Sequence, residues 1–256
     1  MTTAIKASKE EFQLHLKDAR EGDSYAQSWI GNAFDLGLGV KIDLAQALKW
    51  HKLAAENGEA YSQSWMGWAL DRGSILRRSL TKSFKWYKKA ALQGYANGQY
   101  CVGQSYAEGQ GVSKNLKLAV KWWRKAADQS YQEAQVNLGK ALEEGLGVRK
   151  NIQLAKKLYQ AAARQGDFIA KYNLARLKMR SGLRSQAQKE FKAIIPELKK
   201  LAKQKDKTDY SAELCLGDCV YNGWGIRVNK RQAARWYRVA ARQKGGPVSG
   251  LWWQGK

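Results

Sequence analysis

Residues 95–130 read YANGQYCVGQSYAEGQGVSKNLKLAVKWWRKAADQS, and residues 131–166 read YQEAQVNLGKALEEGLGVRKNIQLAKKLYQAAARQG. Laid one over the other they put Gly103 on Gly139, Gly109 on Gly145, Gly111 on Gly147, Asn115 on Asn151, Ala119 on Ala155, and Ala126-Ala127 on Ala162-Ala163. A fixed period of this length marks a stacked repeat architecture, and it changes the meaning of every local motif. Followed outward, Gly31, Gly67, Gly103 and Gly139 recur every 36 residues, the next step lands on Ala175, and Gly217 follows after 42. The columns Gly39, Gly111, Gly147, Gly225, then Ala47, Ala119, Ala155, Ala233, then Trp50, Trp86, Trp122, Trp236 keep the same beat.

Each column has a cause in a helix-turn-helix unit. Apolar Ile30 and Phe34, Val102 and Tyr106, Leu138 and Leu142 fall four apart, on one face of a first helix. Gly37, Gly73, Gly109, Gly145 and Gly223 end that helix where a left-handed residue is needed. Asp43, Ser79, Asn115, Asn151 and Asn229 then cap the second helix, since each can accept a bond from an orphaned backbone N–H. A glycine within a helix costs about 1 kcal/mol relative to alanine. The Gly31 column therefore implies close helix approach, with the small alanines of the second helix as expected counterparts. The Trp50 column is expected to fill the wider gaps between units as a row of buried rings.

These residues resemble the Sel-one-like repeat family, relatives of the tetratricopeptide repeats, whose units read roughly A-x-x-x-L-G-x-x-Y-x-x-G-x-G-V, a cap, then A-x-x-W-Y-x-x-A-A-x-x-G. The resemblance is strongest at 95–130 and 131–166, strong at 23–58 and 209–243, and weaker at 59–94, where Ile75 replaces the second loop glycine. Unit 167–208 is degenerate: it lacks both glycine columns and the tryptophan, and Pro196 is expected to bend its second helix or split it. Residues 1–22 supply a capping helix opened by a capping box from Ser8 to Glu11, 23–243 the repeats, and 244–256 a tail bearing Leu251, Trp252 and Trp253. The expected fold is all-α, a right-handed superhelical solenoid of about six helix pairs.

The chain has 45 Lys plus Arg against 22 Asp plus Glu, a net charge of +23, which favours an acidic protein, a nucleic acid or an anionic surface as partner. No apolar run suits a secretory signal or a membrane span, so no membrane insertion is expected. The odd set Cys101, Cys215 and Cys219 is no disulfide framework, which suits a reducing cytoplasm. The G-x-G triplets at 37–39, 109–111, 145–147 and 223–225 follow helices and repeat with the period, so they are turns and not nucleotide loops. His15 and His51 stand in a column otherwise held by Tyr87, Trp123, Tyr159 and Tyr237 and are read as packing residues. Cys215 and Cys219 lack further ligands nearby; no metal, no cofactor and no catalytic constellation is expected.

The six first helices hold 12 acidic and 6 basic residues, a net of −6; with +23 for the whole, the remaining segments carry +29. The second helices repeat one cationic face: Lys49, Lys85 and Lys88, Lys121 and Arg124, Lys157, then Arg235 and Arg238. The resemblance implies that first helices line a concave side and second helices a convex one. Trp29, Trp65 and Trp68 lie outside the repeat pattern; with Asn32, Leu36 and Arg72 they are expected to share a first-helix face and to anchor a partner. The expected role is a non-enzymatic scaffold, a small bacterial adaptor or an immunity protein that binds a cognate toxin, with an acidic protein favoured. Nucleic-acid binding through the basic second-helix face is the alternative.

Overall fold

A computed structural model describes residues 9–204 and 210–242. Ser8 of the capping box and the tail with Leu251, Trp252 and Trp253 lie outside the described residues. Thirteen helices and no strand occur among the described residues. The chain forms two compact units, 1–126 and 127–256.

The first unit opens with α1 (Lys9–Arg20), followed by the pairs α2 (Ser24–Leu36) with α3 (Leu44–Glu56) and α4 (Ala60–Arg72) with α5 (Leu80–Leu92); α6 (Ala96–Glu108) and α7 (Leu116–Asp128) come last. The second holds α8 (Gln132–Glu144) with α9 (Ile152–Arg164), α10 (Phe168–Arg180) with α11 (Arg184–Ala202), and α12 (Ser211–Asn222) with α13 (Lys230–Arg242). Gly37, Gly73, Gly109, Gly145 and Gly223 close the first helices at φ between 69° and 79°, the left-handed region. Each loop is pinned by the backbone N–H of the following cap residue: Asp43 to Phe34, Ser79 to Leu70, Asn115 to Tyr106, Asn151 to Leu142, Asn229 to Val220. Four caps accept the expected side-chain bond: Asp43 from Ala45 and Gln46, Asn115 from Leu118, Asn151 from Leu154, Asn229 from Gln232. Ser79 is extended like Asp43 and Asn151 but makes no side-chain cap bond.

The helical glycines face a different partner from the one expected. A Cβ on Gly31 would lie 2.8 Å from the His51 ring, on Gly67 2.7 Å from Tyr87, on Gly103 2.4 Å from Trp123, on Gly139 2.7 Å from Tyr159, and on Gly217 2.4 Å from Tyr237. The counterpart is thus a ring, not the alanines, which explains why the glycine is needed: a flat ring face presses onto helix backbone. In the degenerate pair, where Ala175 replaces the glycine, Phe191 joins it in one core cluster. The Trp50 column also differs: Trp50, Trp86, Trp122 and Trp236 are half-buried, and the Lys89 and Lys125 ammonium groups stand 4.2 and 4.7 Å from the Trp86 and Trp122 rings.

Pro196 does not split α11, which runs unbroken for 19 residues. Proline removes the bond to the Lys192 carbonyl, but both residues are solvent-exposed, so water can take that carbonyl. Phe191, Ile194, Ile195 and Leu198, all buried, hold the helix on both sides of the break in bonding.

Candidate functional site

The repeat places Trp29, Asn32 and Leu36 of α2 in the same columns as Trp65, Trp68 and Arg72 of α4. The structure divides them. Trp65 is 7% exposed and stacks on His51 with ring centroids 4.3 Å apart and an interplanar angle of 22°. Trp29, half-buried, stacks on His15 at 4.3 Å and 25° and leans on Phe12. Both rings are therefore engaged in packing, Trp65 almost wholly and Trp29 in part. The cause is volume. Both histidines occupy the column where other units carry a longer ring, and 14 residues later the chain supplies a tryptophan. Where that ring is Tyr87 the residue 14 on is Cys101, and where it is Tyr159 it is Asn173.

His51 is fully buried, 3.0 Å from the Ser62 hydroxyl, which donates to Ser28 at 2.9 Å. Burial lowers its pKa to about 4, so the imidazole is neutral near pH 7 and closed off from any substrate.

The other four residues remain on the accessible side. Leu36 is 63% and Trp68 38% exposed, Arg72 is exposed, and Asn32 is half-buried. The Arg72 guanidinium lies 5.9 Å from the Trp68 ring centroid, and Trp68 rests against Trp65 at 5.8 Å. Tyr25 and Tyr61, one and two helical turns N-terminal to these columns, extend the patch at 68% and 38% exposure. Tyr61 donates its hydroxyl proton to Asn32 Oδ1 at 2.8 Å and meets Tyr95 edge-on at 6.3 Å. Beside these rings Trp65 Nε1 donates to Asp35 at 3.4 Å. The first helices also bring Asp71 and Glu108 together: burial, then the Asp71 charge, pushes Glu108 up to about 7, and burial raises Asp71 as well. Half-protonated near neutral pH, Glu108 makes this face less negative than its residue count suggests.

The cationic residues are all exposed: Lys49 on α3, Lys85 and Lys88 on α5, Lys121 and Arg124 on α7, Lys157 on α9, Arg235 and Arg238 on α13. None of them takes part in an ion pair among the described residues. Among the described residues no three His, Cys, Asp or Glu side chains come close enough to hold a metal. Cys101, Cys215 and Cys219 form no disulfide, and burial pushes the Cys219 thiol up to about 12.

Five segments, 24–59, 60–95, 96–131, 132–167 and 212–244, match the Sel1 repeat. The chain belongs to the Sel1 repeat family. The unmatched interval coincides with α10 and α11, the pair with the short connection. Sel1 repeats are protein-interaction scaffolds. The chain is similar to a protective antigen of uropathogenic Escherichia coli strains that displays an SLR fold, at 27% identity and TM-score 0.68 over 91% of this chain and 48% of that one. It thus spans about half the length of the antigen. It is also similar to a Sel1 repeat protein from Oxalobacter formigenes, at 27% identity and TM-score 0.71, covering 93% of each chain. An immunity protein from Pseudomonas aeruginosa aligns at 18% identity and TM-score 0.46 over 96% of this chain and 80% of that one. No curated protein matches the chain.

Two polar networks went unnoticed in the Sel1 repeat sequence. Gln27, Gln63 and Gln99 recur every 36 residues and donate to the Ala19, Ala55 and Ala91 carbonyls, capping the preceding helix. Their own side-chain carbonyls accept from the residue that ends the second helix of the same repeat, Asn57 to Gln27 and Gln93 to Gln63, both at 2.9 Å. The period itself was the signal. Glu143 is buried with Arg176 and Arg180 each donating at 2.8 Å and Tyr159 at 3.0 Å. No spacing rule reveals that cluster, because the arginines belong to the degenerate repeat.

Proposed function

We propose that the chain is a non-catalytic scaffold that holds a partner protein on the first-helix face of its first unit. One observation carries the proposal: Tyr25, Leu36, Tyr61, Trp68 and Arg72 are exposed on α2 and α4, with Arg72 beside the Trp68 ring and Trp68 backed by the buried Trp65–His51 stack. Rigid aromatic rings with an arginine alongside are the residue types that dominate binding hot spots. The exposed second-helix cations, Lys85, Lys121 and Lys157 among them, favour an acidic partner, which they attract over long range and hold little. On this account the chain is a small adaptor or an immunity protein that occludes a cognate toxin, and nucleic acid is not its target.

The partner is first isolated on the immobilised full-length chain at moderate salt, with and without nuclease, and then titrated in purified form. Trp68→Ala is expected to weaken binding by about 2 kcal/mol, roughly thirtyfold, chiefly through faster dissociation and with unchanged circular dichroism. Reversing Lys85, Lys121 and Lys157 to Glu is expected to slow association and flatten its salt dependence. If the reversal abolishes binding while Trp68→Ala behaves as wild type, or if nuclease removes the partner, the second-helix face binds a polyanion and the proposal fails.

A further inference from the structure

Every intact repeat connects its helices through seven residues, and after α6 and after α12 this connection lies on the preceding pair. After α6 it comprises 109–115 and after α8 145–151. A Cβ on Gly111 would lie 2.2 Å from the carbonyl oxygen of Leu80, the first residue of α5, so this loop lies directly on the start of the preceding second helix. Val112 from the same loop packs into the Phe84 cluster. After α12 the equivalent loop drops Trp224 onto Phe191, with the rings 4.9 Å apart, and Gly225 onto the Lys192 backbone.

Between α10 and α11 the connection is only Ser181–Leu183. The start of α9, where the missing loop would sit, is left uncovered. A cavity of about 140 Å³ opens there. Ile152, Leu174, Leu177 and Leu183 supply its apolar wall, and Ile152 and Leu183 remain 37% and 46% exposed. Lys156 and Lys178 stand at its rim. Lys178 pairs with Glu190, whereas Lys156 is exposed and in no ion pair among the described residues. Neither α9 nor α10 contains a single aspartate or glutamate.

We infer that this groove in the second unit is a docking site for an acidic segment of a partner protein, which inserts one branched aliphatic side chain where an intact repeat inserts its own loop valine. The space is set by a connection four residues shorter than in the intact repeats, the apolar wall selects the anchor, and Lys156 at the rim selects its acidic flanks. The site is separate from the Trp68 patch.

The test uses fluorescein-labelled synthetic heptapeptides, blocked at both ends, with a central valine or isoleucine between aspartate and glutamate residues, titrated into the full-length chain by anisotropy. Saturable binding is expected, at least tenfold weaker when the central residue is serine or the flanks are lysine. Lys156→Glu and Leu183→Ser should each weaken it at least tenfold, and Trp68→Ala should leave it unchanged. Lys157→Glu, an exposed neighbour that does not line the groove, should change it less than threefold. Replacing Ser181–Leu183 with the seven residues 109–115 should fill the groove and abolish binding, with circular dichroism reporting the fold. Equal binding of the serine peptide, or equal losses from Lys156→Glu and Lys157→Glu, would overturn the inference. So would displacement by oligothymidylate that is insensitive to Leu183→Ser; the surface would then be a diffuse polyanion binder.

Discussion

His51 and Trp65 share one volume that the next repeat divides as Tyr87 and Cys101. Installing that second solution at the first position gives a sharp test. His51→Tyr alone should cost about 1–3 kcal/mol by overpacking against Trp65 and Gly31. Trp65→Cys alone should cost roughly 3 kcal/mol or more through the cavity it leaves. The double variant should cost at least about 1 kcal/mol less than the sum, as read by urea unfolding; strict additivity would show that the two rings do not share a space. The same pair sets an acid response. The folded pKa of His51 lies near 4 and its ordinary value is 6.5, so between them the unfolded chain binds a proton that the folded chain refuses. Stability therefore falls as pH drops from about 6.5 to 4, by up to about 3 kcal/mol for this group. Glu108 works in the opposite sense, since its raised pKa of about 7 adds stability as pH falls through 7 toward its ordinary 4.5. Comparing wild type with the double variant across this range isolates the histidine, and the double variant should lose the steeper part of the acid decline.

Among the elements, α11 stands apart because Pro196 sits exposed in its interior. An interior proline costs a helix up to about 3 kcal/mol relative to alanine, and no buried contact of Pro196 offsets it. Pro196→Ala should therefore stabilise the chain by about 1–3 kcal/mol, seen as a higher Tm; an unchanged or lower Tm would mean that the ring fixes a bend the packing needs. The helix pairs, their left-handed glycine ends and four of five caps were legible in the sequence because each depends on residues a few positions apart. The ring that meets each glycine lies 20 residues away on another helix, and alanine and aromatic columns were both within reach of it, so spacing could not choose. The candidate face was legible only in outline. Periodicity placed Trp65 and Trp68 on one helix but could not show that His51 leaves room for the first and not the second. A split at Pro196, one of the two outcomes expected, does not occur because a local rule about backbone bonding takes no account of the buried residues on either side of the break.

At the scale of the whole chain the net charge is +23, and among the described residues Lys49, Lys85, Lys88, Lys121, Arg124, Lys157, Arg235 and Arg238 are exposed and in no ion pair. Such a surface repels itself, and added salt screens the repulsion over roughly 10 Å at 0.1 M. Raising sodium chloride from 10 to about 200 mM should therefore increase Tm, the opposite of a fold held by surface ion pairs. Reversing Lys85, Lys121 and Lys157 should remove part of that gain. A Tm independent of salt would mean that the cations lie too far apart to act on one another.

The match between a ring and the residue 14 positions later also bears on how such a gene can change length. Histidine calls for tryptophan and tyrosine for a small residue, so neighbouring repeats are keyed to each other and are not interchangeable copies. A deletion that joined the stretch ending after His51 to the one beginning before Cys101 would preserve the 36-residue beat and every glycine, yet set a small ring against a small side chain and leave a void. A crossover that keeps each key with its lock must fall outside the interval between them, which confines viable changes in repeat number to a narrow part of each period.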